Sequence, residues 1–203
     1  MNETIRRHAG QLDRQTRVRH GVERERQIAV ALKKQIGLPI VDASEYQDKT
    51  RKIDRWIDYP EGRIALQIKY REAGEDLLFE VYDKWFEWND SRNKLGRDMI
   101  GDAKEYAVLL NDRHTIVMVP TQLAKDVIYK MIETAKQVGF TSGSYSPTLT
   151  LEYFVHDLKL ELKVQKDPGD GRQKMIAYIP ASYFIAEAQA KIYEVALPRK
   201  WKY

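Results

Sequence analysis

Apolar positions along the chain change period several times, and each change marks an element. From about Val18 to Ile36, the residues Ile28, Ala29, Leu32 and Ile36 recur at helical spacing, and Gly37 followed by Pro39 ends the pattern. Glu25 lies three, four and seven residues before Ile28, Ala29 and Leu32, at the N-terminal end of the inward face, whereas Glu23 projects elsewhere on the wheel. The period then shortens to two. Lys52 to Tyr59 predicts a strand, Pro60-Glu61-Gly62 a turn, and Arg63 to Arg71 the return strand. On the return strand Leu66, Ile68 and Tyr70 share one face, while Ala65, Gln67 and Lys69 share the other. Leu77 to Tyr82 predicts a third strand.

Lys84 to Arg97, rich in Trp, Asn, Arg and acids, predicts a loop leading into a helix. Tyr106 to Leu110 and Thr115 to Val119 predict buried strands. A helix then starts near Thr121, carries Leu123, Val127, Ile128 and Met131 inward, and ends before Gly139. Thr141 to Pro147 predicts a loop. Strands are expected at Leu149 to Phe154, Leu158 to Val164 and Met175 to Ile179, and a last helix over Ala181 to about Val195. The order defines an α/β fold with extra β structure. Residues 1–139 form the expected core with a basic N-terminal segment, and 140–203 a β-rich extension packed on the same domain. No repeat or low-complexity linker divides them.

Composition narrows the function classes. The 203 residues carry 34 Lys plus Arg against 30 Asp plus Glu, for a net charge of +4, and 43% are hydrophobic, which excludes wholesale disorder. The absence of cysteine excludes disulfides, thiolate-bound zinc and a cysteine nucleophile. No apolar run approaches the length of a membrane span, and the polar, then arginine-rich start has no signal segment, so a soluble, cytoplasmic protein is expected. Charge is concentrated at the start. Residues 1–35 hold nine basic and four acidic residues, net +5, leaving −1 for the remainder. Arg199, Lys200 and Lys202 interleave with Trp201 and Tyr203. Basic residues beside aromatics suit a phosphate backbone and exposed bases, and they equally suit a solvated helix face and a tail.

Four polar groups project from elements that otherwise supply core residues. Glu25 and Asp54 offer the hard oxygens that Mg²⁺ prefers, and Gln67 adds a neutral carbonyl oxygen. Lys69, two residues on and on the same face, can steady a water or a developing negative charge. Glu80, on the third strand, is a reserve acid, whereas Asp58 lies about 13 Å along the strand from Asp54. The four histidines lack metal-ligand spacing, and no phosphate-binding glycine loop or partnered serine occurs.

These residues resemble the PD-(D/E)XK nuclease superfamily. The likeness rests on Gly21-Val22-Glu23-Arg24-Glu25 opening a helix, Lys52-Ile53-Asp54 on one strand and Gln67-Ile68-Lys69 on the next. The spacing at the helix start is most similar to Holliday-junction-resolvase-like members. The motif covers about residues 21–71, and the elements to about Val138 fit the family order loosely. The resemblance implies a restriction-endonuclease-like αβββαβ core, a mixed sheet flanked by helices, here followed by an antiparallel β element and a helix. It also implies a Mg²⁺-dependent DNA endonuclease, with Mn²⁺ able to substitute, and a homodimer if the substrate is branched DNA. Glu25, Asp54 and Gln67 would hold the metal and act in catalysis with Lys69. Gln67 departs from the usual Glu or Asp, which costs one negative charge at the metal. Arg17, Arg19, His20 and Arg24 near the helix start, and Arg92, Lys94 and Arg97 beside Trp85, Phe86 and Trp88, are the expected DNA contacts. The alternatives are a sequence-specific endonuclease of restriction or homing type, a DNA-binding module without the reaction, and a structural α/β protein.

Overall fold

The computed structural model describes residues 3–71, 74–82, 101–110, 114–138, 148–166, 173–187 and 189–197, with the side chains of residues 3–18, 82, 148, 149, 166 and 173 excepted. Helix α1 spans Glu3–Ile36 and stops where Gly37 takes a left-handed φ of +73° and returns its N–H to the Lys33 carbonyl. Ile28, Ala29 and Leu32 are its buried stripe. Short strand β1 (Ile40–Asp42) follows, then a π-helical turn at Gln47–Arg51. The hairpin β2 (Arg55–Tyr59) and β3 (Gly62–Tyr70) comes next, then β4 (Asp76–Tyr82), β5 (Glu105–Leu109) and β6 (Thr115–Pro120). Helix α2 (Thr121–Gln137) precedes β7 (Thr148–Val155), β8 (Leu158–Lys166), β9 (Gln173–Pro180), the short α3 (Ala181–Ala186) and β10 (Lys191–Glu194).

The strands form two sheets. The first runs β1-β2-β3-β5-β6-β10 and is mixed, because β3 and β5 pair in parallel, Leu66 opposite Glu105 through Tyr70 opposite Leu109. The second, β4-β9-β8-β7, is antiparallel throughout. Alternation along the central strands sends side chains to two separate cores. Leu66, Ile68, Ala107, Leu109, Ile116 and Met118 meet Ile28 and Leu32 of α1. Tyr106, Val108, Val117 and Val119 face α2 and the inner side of the second sheet. The result is a mixed α/β fold in which one helix covers one sheet face, and a helix with a second sheet covers the other.

Three elements differ from the sequence expectation. The first strand of the hairpin begins at Arg55, not Lys52, because Lys52 (φ +57°) caps the π-helical turn in the left-handed region. The third strand, 76–82, does not extend the hairpin's sheet. It pairs with β9, about 100 residues later, Leu77 opposite Ile179 and Phe79 opposite Ala177. The helix expected over Ala181 to Val195 ends at Ala186, and β10 then pairs with β6, Ile192 opposite Val117. The expected loops at 84–97 and 141–147 lie outside the described residues. Among the described residues, no helix is long and apolar enough to cross a membrane.

Candidate active site

The site stands where β2 parts from β3. Their ladder ends at Arg55 opposite Leu66, and one residue earlier the Asp54 N–H still reaches the Leu66 carbonyl (3.0 Å). The next free donor on that edge of β3, the Ile68 N–H, is taken by the Asp54 carboxylate instead of a backbone oxygen (2.6 Å). Asp54 is thereby buried, 5% exposed, and oriented by the strand it abandons. The α1 face of β3 carries Leu66 and Ile68, so Gln67 and Lys69 emerge on the opposite face. Across the opening between the diverging strands, α1 brings in Glu25. The Lys69 ammonium lies 4.0 Å from Glu25 Oε1 and 3.9 Å from Asp54 Oδ2. Both separations exceed the roughly 2.8 Å of a direct charge-assisted hydrogen bond. Lys69 is shared between two carboxylates without closing on either.

Electrostatics follow from that burial. Burial pushes the Glu25 carboxyl up to about 7, with Lys69 opposing the rise and Asp54 and Asp48 adding to it. Burial also raises Asp54, against the pull of Lys69 and the Ile68 N–H. Burial lowers Lys69, but the carboxylates of Asp54, Glu25, Glu80 and Asp48 outweigh it and leave the ammonium more basic than usual. Tyr106, buried beside Gln67 across the β3–β5 ladder, donates its hydroxyl to the Leu78 carbonyl (2.7 Å). Its phenol is raised well above the usual value, by burial first and then by Glu80 and Asp54.

The donor set can be tested against a divalent cation. Glu25 and Asp54 supply two carboxylates. Gln67 is 3% exposed, and its Oε1 is buried with no hydrogen-bond partner. A buried acceptor left without a donor costs about 1–3 kcal/mol and calls for a partner. Two carboxylates and an unpartnered carbonyl oxygen fit a hard cation that takes oxygen ligands and keeps several waters. Among the described residues no group of three or more His, Cys, Asp or Glu could hold a metal, so the third protein oxygen must come from Gln67 or the backbone.

The remaining expected residues fall in different places. Glu80 is near enough to strengthen Lys69 and also pairs with Lys174 (3.7 Å). Asp58 is engaged by Arg63 (2.7 Å) and takes no part. Arg19 is exposed and His20 half-buried on α1. Arg24 is 8% exposed, and its guanidinium packs 4.4 Å over the Tyr70 ring. Arg17 lies in α1, but its side chain is outside the described residues, as are Arg92, Lys94 and Arg97.

Asp48 was not expected. It rides on the π-helical turn, which Gln47 ties down by accepting from the Ser44 N–H (3.0 Å) and the Trp56 indole (3.3 Å). Arg55 was also missed. Its guanidinium donates to the Asp54 carbonyl (2.7 Å), pairs with Asp42 (2.8 Å), and lowers both Asp54 and Glu25. Four charged groups, Glu25, Asp48, Arg55 and Lys69, therefore act around Asp54 from four elements. No family model, curated protein or solved structure matches this chain.

Proposed function

We propose that the protein is a metal-dependent endonuclease that hydrolyses DNA phosphodiesters on a restriction-endonuclease-like arrangement. The observation that carries the reading is Lys69 held 3.9–4.0 Å from both Asp54 and Glu25, two residues along β3 from Gln67, whose buried oxygen has no partner. Glu25, Asp54 and Gln67 would hold Mg²⁺ or Mn²⁺. When bound, such a cation lowers the pKa of a coordinated water and neutralises charge on a phosphate. Asp54 keeps its orientation through the Ile68 N–H, so its carboxylate is positioned before any substrate arrives. Glu25 would release a proton if it held a cation, because burial pushes its carboxyl up to about 7. Lys69, kept charged by its acidic neighbours, steadies the attacking oxygen or the charge that builds on the phosphoryl oxygens.

The test is cleavage of labelled DNA with Mg²⁺ present. Asp54→Ala and Lys69→Ala should abolish cutting while DNA binding persists, and parent-rate cutting by either variant refutes the assignment. Four-way junction, flap and linear duplex compared under one condition separate a branched-DNA enzyme, expected to work as a homodimer, from a sequence-specific one. The neutral Gln67, in place of a third acid, favours one competing reading, a DNA-binding module without the reaction. That module predicts normal DNA affinity and no heat on titrating Mg²⁺ or Mn²⁺.

A further inference from the structure

Arg71 follows Lys69 by two residues, and its N–H continues the β3–β5 ladder to the Leu109 carbonyl (2.8 Å), so both side chains leave the same face. Its guanidinium carbon lies 5.6 Å from the centroid of the Tyr178 ring. The Lys163 ammonium stands 4.7 Å from the same ring. Tyr178 belongs to β9 and Lys163 to β8, so the second sheet supplies the platform on which the first sheet's arginine rests. Each cation lies within cation–π reach of the Tyr178 ring.

The arginine is not spent by these contacts. Its Nε is buried and has no hydrogen-bond acceptor. Lys163 is neutralised by Glu161, and Lys159 by Glu152 and Glu161, whereas Arg71 pairs with no carboxylate among the described residues. Arg71 also borders the candidate active site, because the Tyr106 hydroxyl feels the charges of Glu80, Asp54, Arg71 and Glu25 together. A guanidinium fixed on an aromatic face, with a buried donor to spare, is built for a tetrahedral oxyanion such as phosphate.

We propose that Arg71, positioned by Tyr178, binds a DNA phosphate next to the one at Lys69. The identity of the ligand rests on the nuclease reading. The consequence is a substrate track that leaves the opening between β2 and β3 and crosses onto the second sheet.

Anisotropy of fluorescein-labelled DNA in EDTA, titrated with salt, tests the binding, and steady-state cleavage in Mg²⁺ tests its role. Arg71→Ala and Arg71→Gln should weaken binding about tenfold and reduce the slope of log affinity against log salt by about one. In cleavage they should raise KM more than they lower kcat. Tyr178→Leu should act in the same direction, and Tyr178→Phe, which keeps the ring, should match the parent. Arg71→Gln that melts like the parent and binds with the parent's affinity and slope overturns the proposal, even if Lys69→Ala abolishes cutting. Weakened binding in Arg71→Gln with no cutting by the parent keeps the phosphate site and sinks the reaction. A parent that binds no DNA overturns both.

Discussion

The Asp54 carboxylate accepts the Ile68 backbone N–H at 2.6 Å, so a side chain completes the ladder where β2 leaves β3. This one bond serves both fold and site. Asp54→Ala strands a buried donor and should cost about 1–3 kcal/mol of stability. Asp54→Asn keeps an oxygen able to accept that N–H, and should stay within about 1 kcal/mol of the parent. Both should lose divalent-metal binding. Thermal melts with and without Mg²⁺ read both effects.

Glu25 predicts a pH signature of the metal-free protein. Its carboxyl titrates near 7 when folded and near 4.5 when unfolded, mainly because burial penalises the charge. Between those values the folded state binds more protons, so this group's contribution is fully present below about 4.5 and is lost as pH rises through 7. Burial raises Asp54 in the same direction. Glu25→Gln should therefore match the parent near pH 4.5 and exceed it at pH 8 by roughly 2–3 kcal/mol, a gain of several degrees in melting temperature. Mg²⁺ should raise the parent's melting temperature more at pH 8 than at pH 5.5, and Glu25→Gln should shrink that difference to the part that Asp54 supplies. A metal-free parent that gains stability from pH 5 to 8 relative to Glu25→Gln contradicts the burial argument.

Gln67 separates metal binding from packing. Gln67→Leu removes the unpartnered oxygen and should leave the metal-free protein as stable as the parent or more so. It should weaken Mg²⁺ binding. Gln67→Glu restores a third negative ligand and should tighten Mg²⁺ by roughly tenfold, while destabilising the metal-free protein at pH 8 through repulsion with Asp54 and Glu25. Calorimetric titration checks the pair.

The helix acid and the strand pair were legible for a geometric reason. Ile28 and Leu32 set the phase of α1, which places Glu25 at the start of its buried face, and period-two alternation places Gln67 and Lys69 together. Asp48 was not legible, because a π-helical turn leaves no periodic signature. The burial of Arg24 was not legible either, because charge alone does not reveal that Tyr70 stands under the guanidinium. Leu77, Phe79 and Val81 alternate as a strand in either sheet, and only a partner far along the chain decides which. The alanines, Glu187 and Gln189 of residues 186–190 favour helix, but the edge of β6 claims Lys191–Glu194 as a strand.

Gly101 couples the turn that carries Asp48 to the rest of the fold. Its φ is +72°, and a Cβ there would meet Lys52 Cβ at 2.4 Å and the Arg51 carbonyl at 2.5 Å. Beside it Asp102 pairs with Arg51 (2.8 Å), and Lys125 donates to the Gly101 carbonyl (2.6 Å). Gly101→Ala should cost roughly 2–4 kcal/mol, from left-handed strain plus overlap, and should weaken metal binding by displacing residues 47–51. Gly37→Ala, at φ +73° with open space around it, should cost only about 1 kcal/mol and leave the metal untouched. Urea unfolding of the two variants measures the contrast.

The most direct test is diffraction from crystals soaked in Mn²⁺, with anomalous scattering used to find the ion. The account predicts a peak bridging the Glu25 and Asp54 carboxylates within bonding distance of Gln67 Oε1, and its loss in Asp54→Ala. Anomalous density absent from that position at millimolar Mn²⁺, or found only elsewhere on the molecule, contradicts it.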